Sequence, residues 1–365
     1  MKITDVQASI LSYRFPQPVV FAHLAMTERR IVLVRIYTDE GLFGIGDTDA
    51  EPTGDSLIKE LILKNFKPLL IGENPLDIGR LWEKLCAKQR AMCRFALESY
   101  ALGAVDMALW DLLGKTLNQP IAVLLGRHRT EIPAYASWSY LPPEMIPEKM
   151  EQTVKEGFSA TKIRIGVNSD LDTRIVKTAR AVLGDSIGLM VDVNSGWSKA
   201  DAVQKAQRLE AYQLAWIEEP IDPLDVSGYR YLRSKINTPI ATGEHHYAKE
   251  QFRDLLLNEC ADIYQPDPRA GGISECKKII DFVNACGFPA VPHCYGSAIK
   301  GAATLQLIGA AANTRSFELN MNADPLRTAI ITNPPAVKNG IIAIPDKPGL
   351  GITLDEAQVK RYTVG

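Results

Sequence analysis

Long apolar runs are missing from this chain. No stretch of 18 apolar residues occurs among its 365 residues. The most apolar helix candidate, Tyr100–Gly114, is interrupted by Asp106 and Asp111, which argues against a membrane span. The opening MKITDVQASI lacks the apolar core of a signal peptide. A charge surplus is missing too. The 41 basic and 43 acidic residues leave a formal −2, so nothing points to nucleic acid or an anionic membrane. Cysteine pairs are absent: Cys86, Cys93, Cys260, Cys276, Cys286 and Cys294 form no C-x-x-C, which disfavours zinc ribbons and thioredoxin-type sites. A chain of this length needs no disulfide staples, so they read as reduced thiols of a cytoplasmic protein. There is no Walker A sequence, and no G-x-G-x-x-G follows the first strand of the alternating unit described below.

What is present is ordinary for a soluble globular protein. Apolar residues make up 46% and charged residues 23%, which excludes disordered and collagen-like classes. The length exceeds one typical domain of roughly 100–200 residues, so it implies one large barrel or two domains.

Residues 1–50 alternate like strands, with Ile31–Tyr37 and Leu42–Ile45 flanking the turn Thr38-Asp39-Glu40-Gly41 as a hairpin. From about 56 to 117 the period becomes helical. Val105, Ala108, Leu109, Leu112 and Leu113 share one face. Strands followed by helices make an α+β unit. From about 133 to 320, strand and helix alternate. Short apolar runs occur at Ala134–Trp138, Thr161–Ile165, Ile187–Val191, Leu214–Ile217, Pro239–Ala241, Ile263–Gln265, Pro289–Val291 and Ser316–Leu319. Eight such runs suggest a parallel barrel, although an open doubly wound sheet fits the same pattern. The turn-rich tail after 320 is too short for a domain and is expected to pack back on the rest.

The polar residues at the strand ends are the informative feature. Asp192, Glu218 and Glu244 end the third, fourth and fifth runs, each 26 residues after the last. One βα unit takes about this length, so the three occupy equivalent places and meet at one barrel mouth. Three converging carboxylates repel one another, and a divalent cation is the simplest remedy. Oxygen ligands favour Mg²⁺ or Mn²⁺. Each acid alone could equally cap the following helix; the shared period favours the metal.

Lys162 and Arg164 point to one side of the second strand. Such cations need anionic partners, either barrel acids or a substrate carboxylate. His293 ends the seventh strand, with Asp267 after the sixth. Such a pair fixes the imidazole tautomer and suits acid–base work. Glu318 lies in the eighth strand. His245 and His246 follow Glu244 and could enter the mouth; His128 reads as surface.

At this point several segments resemble the enolase superfamily, in its mandelate racemase subgroup. They are Ala104–Gly126, TKIRIG at 161–166, VDVNSGW at 191–197, WIEEP at 216–220, ATGEH at 241–245, QPDPRAGG at 265–272 and the tail Pro345–Gly351. The resemblance implies an α/β architecture: a modified (β/α)7β TIM-like barrel, with an α+β capping domain. The capping domain is expected over 1–126, the barrel over 127–320, and a C-terminal segment over 321–365 returning to the cap. It further implies Mg²⁺ on Asp192, Glu218 and Glu244, selecting Glu218 over Glu219, and Asn194 near the substrate. The Asp267–His293 pair matches the acid–base dyad. Glu318 matches the acid that hydrogen-bonds the substrate carboxylate, and Lys162 the carboxylate-polarising lysine. A homo-oligomer is also implied.

One departure matters. Racemases of the subgroup carry Lys-x-Lys on the second strand, whereas here the second position is Arg164. Guanidinium is a poor base near neutral pH. With His293 the clear base, the expectation is a one-base reaction: dehydration of an acid sugar, an aldonate or aldarate, to a 2-keto-3-deoxy acid through an enediolate. The alternatives are a racemase or epimerase of a 2-hydroxy acid, a cycloisomerase of a sugar lactone or anhydro sugar acid, and a binding protein on a retired scaffold. Specificity is expected from the capping loops Pro16–Glu28, with Phe21, His23 and Met26, and Asp47–Asp55, whose acids would disfavour a dianionic aldarate.

Overall fold

The structure is a computed structural model of the chain, and it describes residues 1–22, 25–49, 54–89 and 96–364. The first unit begins as an antiparallel meander: β1 (Ile3–Val20), β2 (Ala25–Thr38) and β3 (Phe43–Asp49). Helices α1 (Asp55–Glu60), α2 (Lys67–Leu70), α3 (Ile78–Gln89), α4 (Leu97–Thr116) and α5 (Ile121–Leu124) follow. The hairpin read at Thr38–Gly41 is present, but its strands run further than the apolar alternation suggested. Most of Pro16–Glu28 is strand rather than loop, with a register break between Arg14 and Val19. His23 lies outside the described residues.

Helix α4 is buried almost all round rather than along one stripe. Two glycines of β3 make that possible. A Cβ on Gly44 would lie 2.0 Å from the Ala108 carbonyl oxygen, and one on Gly46 2.0 Å from that of Ala104. The two acids that break the apolar run are buried ties. Asp106 accepts from the Ser274 amide at 2.9 Å and its hydroxyl at 2.6 Å, reaching the barrel. Asp111 accepts from the amides of Ile45 and Leu350, both at 2.9 Å, joining β3 to the C-terminal segment. These donors, and for Asp111 the Lys115 ammonium at 2.6 Å, make the carboxylates tolerable in a core that would otherwise reject them.

The second unit is a closed parallel barrel. Its strands and helices alternate as β4 (Glu131–Ser137), α6 (Ile146–Lys155), β5 (Ala160–Arg164), α7 (Ser169–Leu183), β6 (Gly188–Asp192), α8 (Lys199–Leu209), β7 (Trp216–Glu218), α9 (Val226–Arg233), β8 (Ile240–Thr242), α10 (Lys249–Leu257), β9 (Ile263–Tyr264), α11 (Gly272–Ala285), α12 (Ala298–Gly309) and β10 (Phe317–Asn320). Strand β10 pairs in parallel with β4, which closes the circle and rules out the open sheet. The seventh place holds no full strand. Ala290 makes single parallel bridges to Tyr264 and Thr314. Pro289 and Pro292 flank it, and proline supplies no ladder donor.

The tail touches both units. After α13 (Pro325–Thr328), strands β11 (Val337–Lys338) and β12 (Ile341–Ala343) extend the barrel sheet, β12 pairing antiparallel with β4. Then α14 (Glu356–Tyr362) leads to β13 (Thr363–Val364), which pairs with β1. Among the described residues no helix is long and apolar enough to cross a membrane. Cys86, Cys260, Cys276 and Cys294 are buried free thiols and Cys286 is exposed; Cys93 lies outside the described residues.

Candidate active site

Strand register brings the polar ends together. Arg164 on β5 pairs with Asp192 on β6, and Asp192 pairs with Glu218 on β7. Neighbours in register share one level of the barrel, as the 26-residue period required. Asp192, Glu218 and Glu244 are all buried, and one carboxylate oxygen from each lies within 4.8 Å of the others. Asp192 is aimed by Asn194, whose amide donates to Oδ1 at 2.9 Å and whose Nδ2 donates to Oδ2 at 3.1 Å. Glu218 Oε2 accepts from Trp216 Nε1 at 3.1 Å and Gln265 Nε2 at 2.8 Å.

Lys162 is 0% exposed, and its Nζ sits 2.5 Å from Glu218 Oε1, 2.9 Å from Glu318 Oε1 and 3.7 Å from Asp192 Oδ2. Burial would lower its pKa, but Glu218 and Glu318 raise it well above the usual lysine value, so it is charged. Glu318 is fixed by the Ser137 hydroxyl at 2.8 Å and the Cys294 amide at 3.0 Å. Burial opposes its ionisation, but Lys162 and His293 hold its carboxyl down at about 2.

Arg164 forms a wall of the mouth. Its Nη1 donates to Asn194 Oδ1 at 2.9 Å, and its Nε lies 3.8 Å from Asp192. The guanidinium carbon is 4.2 Å from the Phe21 ring centroid and 5.0 Å from that of Tyr295. Burial works against its charge, but Asp192 above all holds it more firmly protonated than usual. It cannot serve as a base. Met26, the other side chain singled out in this hairpin, is buried with Phe15, Val19 and Tyr295.

Across the mouth, at the seventh strand position, is His293. Its Nδ1 lies 2.7 Å from Asp267 Oδ2. Burial would raise Asp267, but Lys300, Arg269 and His293 hold it well below the usual carboxylate range. An ionised Asp267 accepts, so Nδ1–H donates and Nε2 is turned inward. That nitrogen is 3.4 Å from Glu244 Oε2 and 3.8 Å from Glu318 Oε2.

The carboxylate cluster fits a divalent cation. Glu218 is pushed well above the usual range by burial and by the charges of Asp192, Glu244 and Glu318, despite Lys162 beside it. Glu244 Oε2 is buried without a hydrogen-bond partner. Negative charge is therefore in excess, and the donors are all oxygen, the set Mg²⁺ prefers. A second group, Glu219, Glu244 and His245, also lies within 4.8 Å. There, however, His245 Nδ1 is already 2.6 Å from Glu219 Oε2, an ion pair. Burial would lower His245, but Glu219 pushes it up to about 9. Glu218 ends β7 and faces Lys162, whereas Glu219, just past the strand with φ +38°, faces His245. His246 is buried and pushed down to about 4, chiefly by that burial, and His128 is exposed.

Sequence reasoning missed three groups. Gln265 and Arg269 lie in the same loop as Asp267 without a spacing signal. Lys300 is a charged residue in the apolar helix α12, which is itself the signal that could have found it.

The family profiles agree with this geometry. The mandelate racemase / muconate lactonizing enzyme N-terminal domain matches residues 5–126, and the enolase C-terminal domain-like profile matches 145–358. The chain belongs to the enolase superfamily, in the mandelate racemase subgroup. This superfamily member is 31% identical to the D-galactarolactone cycloisomerase of Agrobacterium fabrum over 99% of both chains. It is 32% identical to the arabinonate dehydratase of Saccharolobus solfataricus over 93% of this chain and 92% of that one. A racemase from Streptomyces coelicolor, solved with bound magnesium, superposes with a TM-score of 0.93 at 26% identity, covering 99% of this chain and 100% of that one. Superfamily relatives at this distance are thus lyases and isomerases.

Proposed function

We propose that the chain is a Mg²⁺-dependent acid-sugar dehydratase, converting an aldonate or aldarate to a 2-keto-3-deoxy acid. The observation that carries this is the one-sidedness of the site. One face has the His293–Asp267 pair; the other has Arg164, held by Asn194 and two rings and unfit to take a proton. Racemisation needs an acid–base group on each face, whereas elimination can run from one.

Asp192, Glu218 and Glu244 would hold the cation; bound there, Mg²⁺ (or Mn²⁺) would neutralise the substrate carboxylate and the enediolate charge. Lys162 pairs with the same carboxylate, its Nζ anchored by Glu318 Oε1 at 2.9 Å. His293 Nε2 removes the α-proton while Asp267 keeps Nδ1 protonated. The imidazolium then gives that proton to the departing 3-hydroxyl on the same face, and water leaves. The enol tautomerises to the keto acid. Arg164, Asn194 and Phe21 line the substrate's path. A second reading, opening of a sugar lactone or anhydro ring, uses the same groups with a ring oxygen leaving. It is favoured by the full-length likeness to a cycloisomerase.

Proton NMR of aldonates, aldarates and their lactones with enzyme and Mg²⁺ in D₂O tests this. Loss of the H2 signal with a new 3-deoxy-2-keto product is expected, and product mass separates water loss from ring opening. H2 exchange giving a diastereomer without keto acid would overturn the one-base reading.

A further inference from the structure

Lys300 takes no part in the chemistry above, yet its burial demands a reason. It is 1% exposed, in helix α12. A buried ammonium is costly unless well paired. Its Nζ donates to Asp267 Oδ2 at 2.7 Å, the same oxygen that accepts His293 Nδ1–H at 2.7 Å. It also lies 4.0 Å from Asp49 Oδ1, at the end of cap strand β3. Asp49 is approached by Arg29 Nη1 at 3.5 Å and Arg269 Nη1 at 3.6 Å. Arg269 returns to the dyad, its amide donating to Asp267 Oδ1 at 2.8 Å and its Nε lying 3.6 Å from Oδ2. Charges therefore alternate from the cap to the imidazole: Asp49, then Lys300 and Arg269, then Asp267, then His293.

We propose that Lys300 is a positioning residue that locks the His293–Asp267 dyad to the cap, so that the acid–base group is in register only while β3 is docked. The inference rests on reading His293 as the proton carrier. Asp267 shares one oxygen between two donors. Remove one, and Oδ2 loses a tether; with Oδ1 still held by the Arg269 amide, the carboxylate can turn part-way about its terminal torsion, carrying the imidazole with it. Acid–base transfer requires hydrogen-bond reach, and a displacement near 1 Å can cost about 10²-fold.

Lys300→Met keeps the stem and leaves Asp267 with Arg269, and Asp49 with Arg29 and Arg269. The expected result is a loss in kcat of about 10- to 100-fold, the range for partners that orient an active group, with KM little changed. Asp49→Asn, on the cap and further from the dyad, should cause a smaller loss of the same kind, and the double variant should be less than additive. The decisive readout is ring-¹⁵N histidine NMR of the full chain. With five histidines and His293→Asn for assignment, the His293 Nδ1–H resonance should move in both variants while His246 stays put. An unmoved His293 resonance with wild-type kcat in Lys300→Met overturns the proposal. So does a shift of all histidines together with lost stability, which would make the role merely structural. If no acid sugar reacts but the His293 signal still moves, the dehydratase reading fails and the coupling stands.

Discussion

Replacing Glu218 with Gln keeps the side-chain volume and removes one charge. The residue has no slack to absorb that. Its Oε1 is 2.5 Å from Lys162 Nζ, and its Oε2 accepts from Trp216 and Gln265 at 3.1 and 2.8 Å. An amide offers one acceptor oxygen. Turned toward Lys162, its NH₂ faces two donors; turned the other way, it faces an ammonium. Either orientation strands at least one buried donor, at about 1–3 kcal/mol. One of the three anionic cation ligands is also lost. The stranded donor weakens the fold, while the lost ligand, at about 3 kcal/mol and about 1.4 kcal/mol per decade, lowers cation affinity about 10²-fold. The effect on rate should be larger. A general base supplies about 10²–10⁴, but carboxylates are weak carbon acids. Most of the acceleration must then come from stabilising enediolate charge, where a single lost interaction costs about 10²–10³. Glu218→Gln is therefore expected to harm turnover at least as much as His293→Asn. Calorimetric titration with Mn²⁺ reads the affinity, and keto-acid formation at saturating Mg²⁺ reads the rate. A variant with near-normal affinity and near-normal kcat would refute the assignment of Glu218 to the cation site.

Other outcomes follow from the same geometry. Asp267→Asn should lose about 10²–10⁴ in kcat, because an amide no longer fixes the His293 tautomer; an unchanged rate would remove the dyad from the reaction. Arg164→Lys gives up the two-ring stack and the planar fork, so elimination should fall about tenfold. It also installs a side chain able to take a proton on the second face, so deuterium at C2 with inversion should appear; neither change would sink the one-base argument. Chelation should abolish turnover and Mg²⁺ restore it, read by the same keto-acid assay. Asp47 is pushed up to about 7, mainly by burial, from an ordinary 3.8. The folded state then keeps a proton that the unfolded chain has released, so stability falls as pH rises from about 4 to about 7. Asp47→Asn should be neutral at pH 4 and stabilising above pH 7, by up to the order of 4 kcal/mol. Equal effects at both pH values in denaturant titrations would contradict this.

The convergence of the three carboxylates was legible because a barrel repeats. One βα unit per 26 residues puts Asp192, Glu218 and Glu244 at equivalent strand ends, and the register of Asp192 with Glu218 shows why a period in sequence becomes a ring in space. The choice of Glu218 over Glu219 came from the resemblance, since Glu219 lies just past the strand. The seventh strand was legible as an apolar run but not as a ladder. Periodicity counts side chains, whereas Pro289 and Pro292 remove backbone donors. The extent of β1 and β2 was hidden for a related reason: near the hairpin tip, Phe15, Val19 and Met26 pack against Tyr295 from the barrel, a partner no local pattern names.

The cap acids show where local reading misleads about function. Asp47 and Asp49 read as an acidic rim that would repel a second substrate carboxylate. In the structure Asp47 and Asp49 belong to strand β3, not a loop, and Asp47 is buried. Asp49 faces Lys300, Arg269 and Arg29, and among these Lys300 raises its compensation most, holding the carboxyl below its usual value against the effect of burial. A charge already countered by three cations exerts little field on a ligand at the mouth. For these two acids the electrostatic case against an aldarate therefore falls away; Glu51 of the same stretch lies outside the described residues. What Asp49 does instead is face Lys300 and Arg269, the two cations that also contact Asp267. A sequence lists charges one residue at a time, but whether a carboxylate repels a substrate or steadies a base depends on which cations fold against it. Here those cations come from β2, the loop after β9 and helix α12, the first of them far along the chain from the other two.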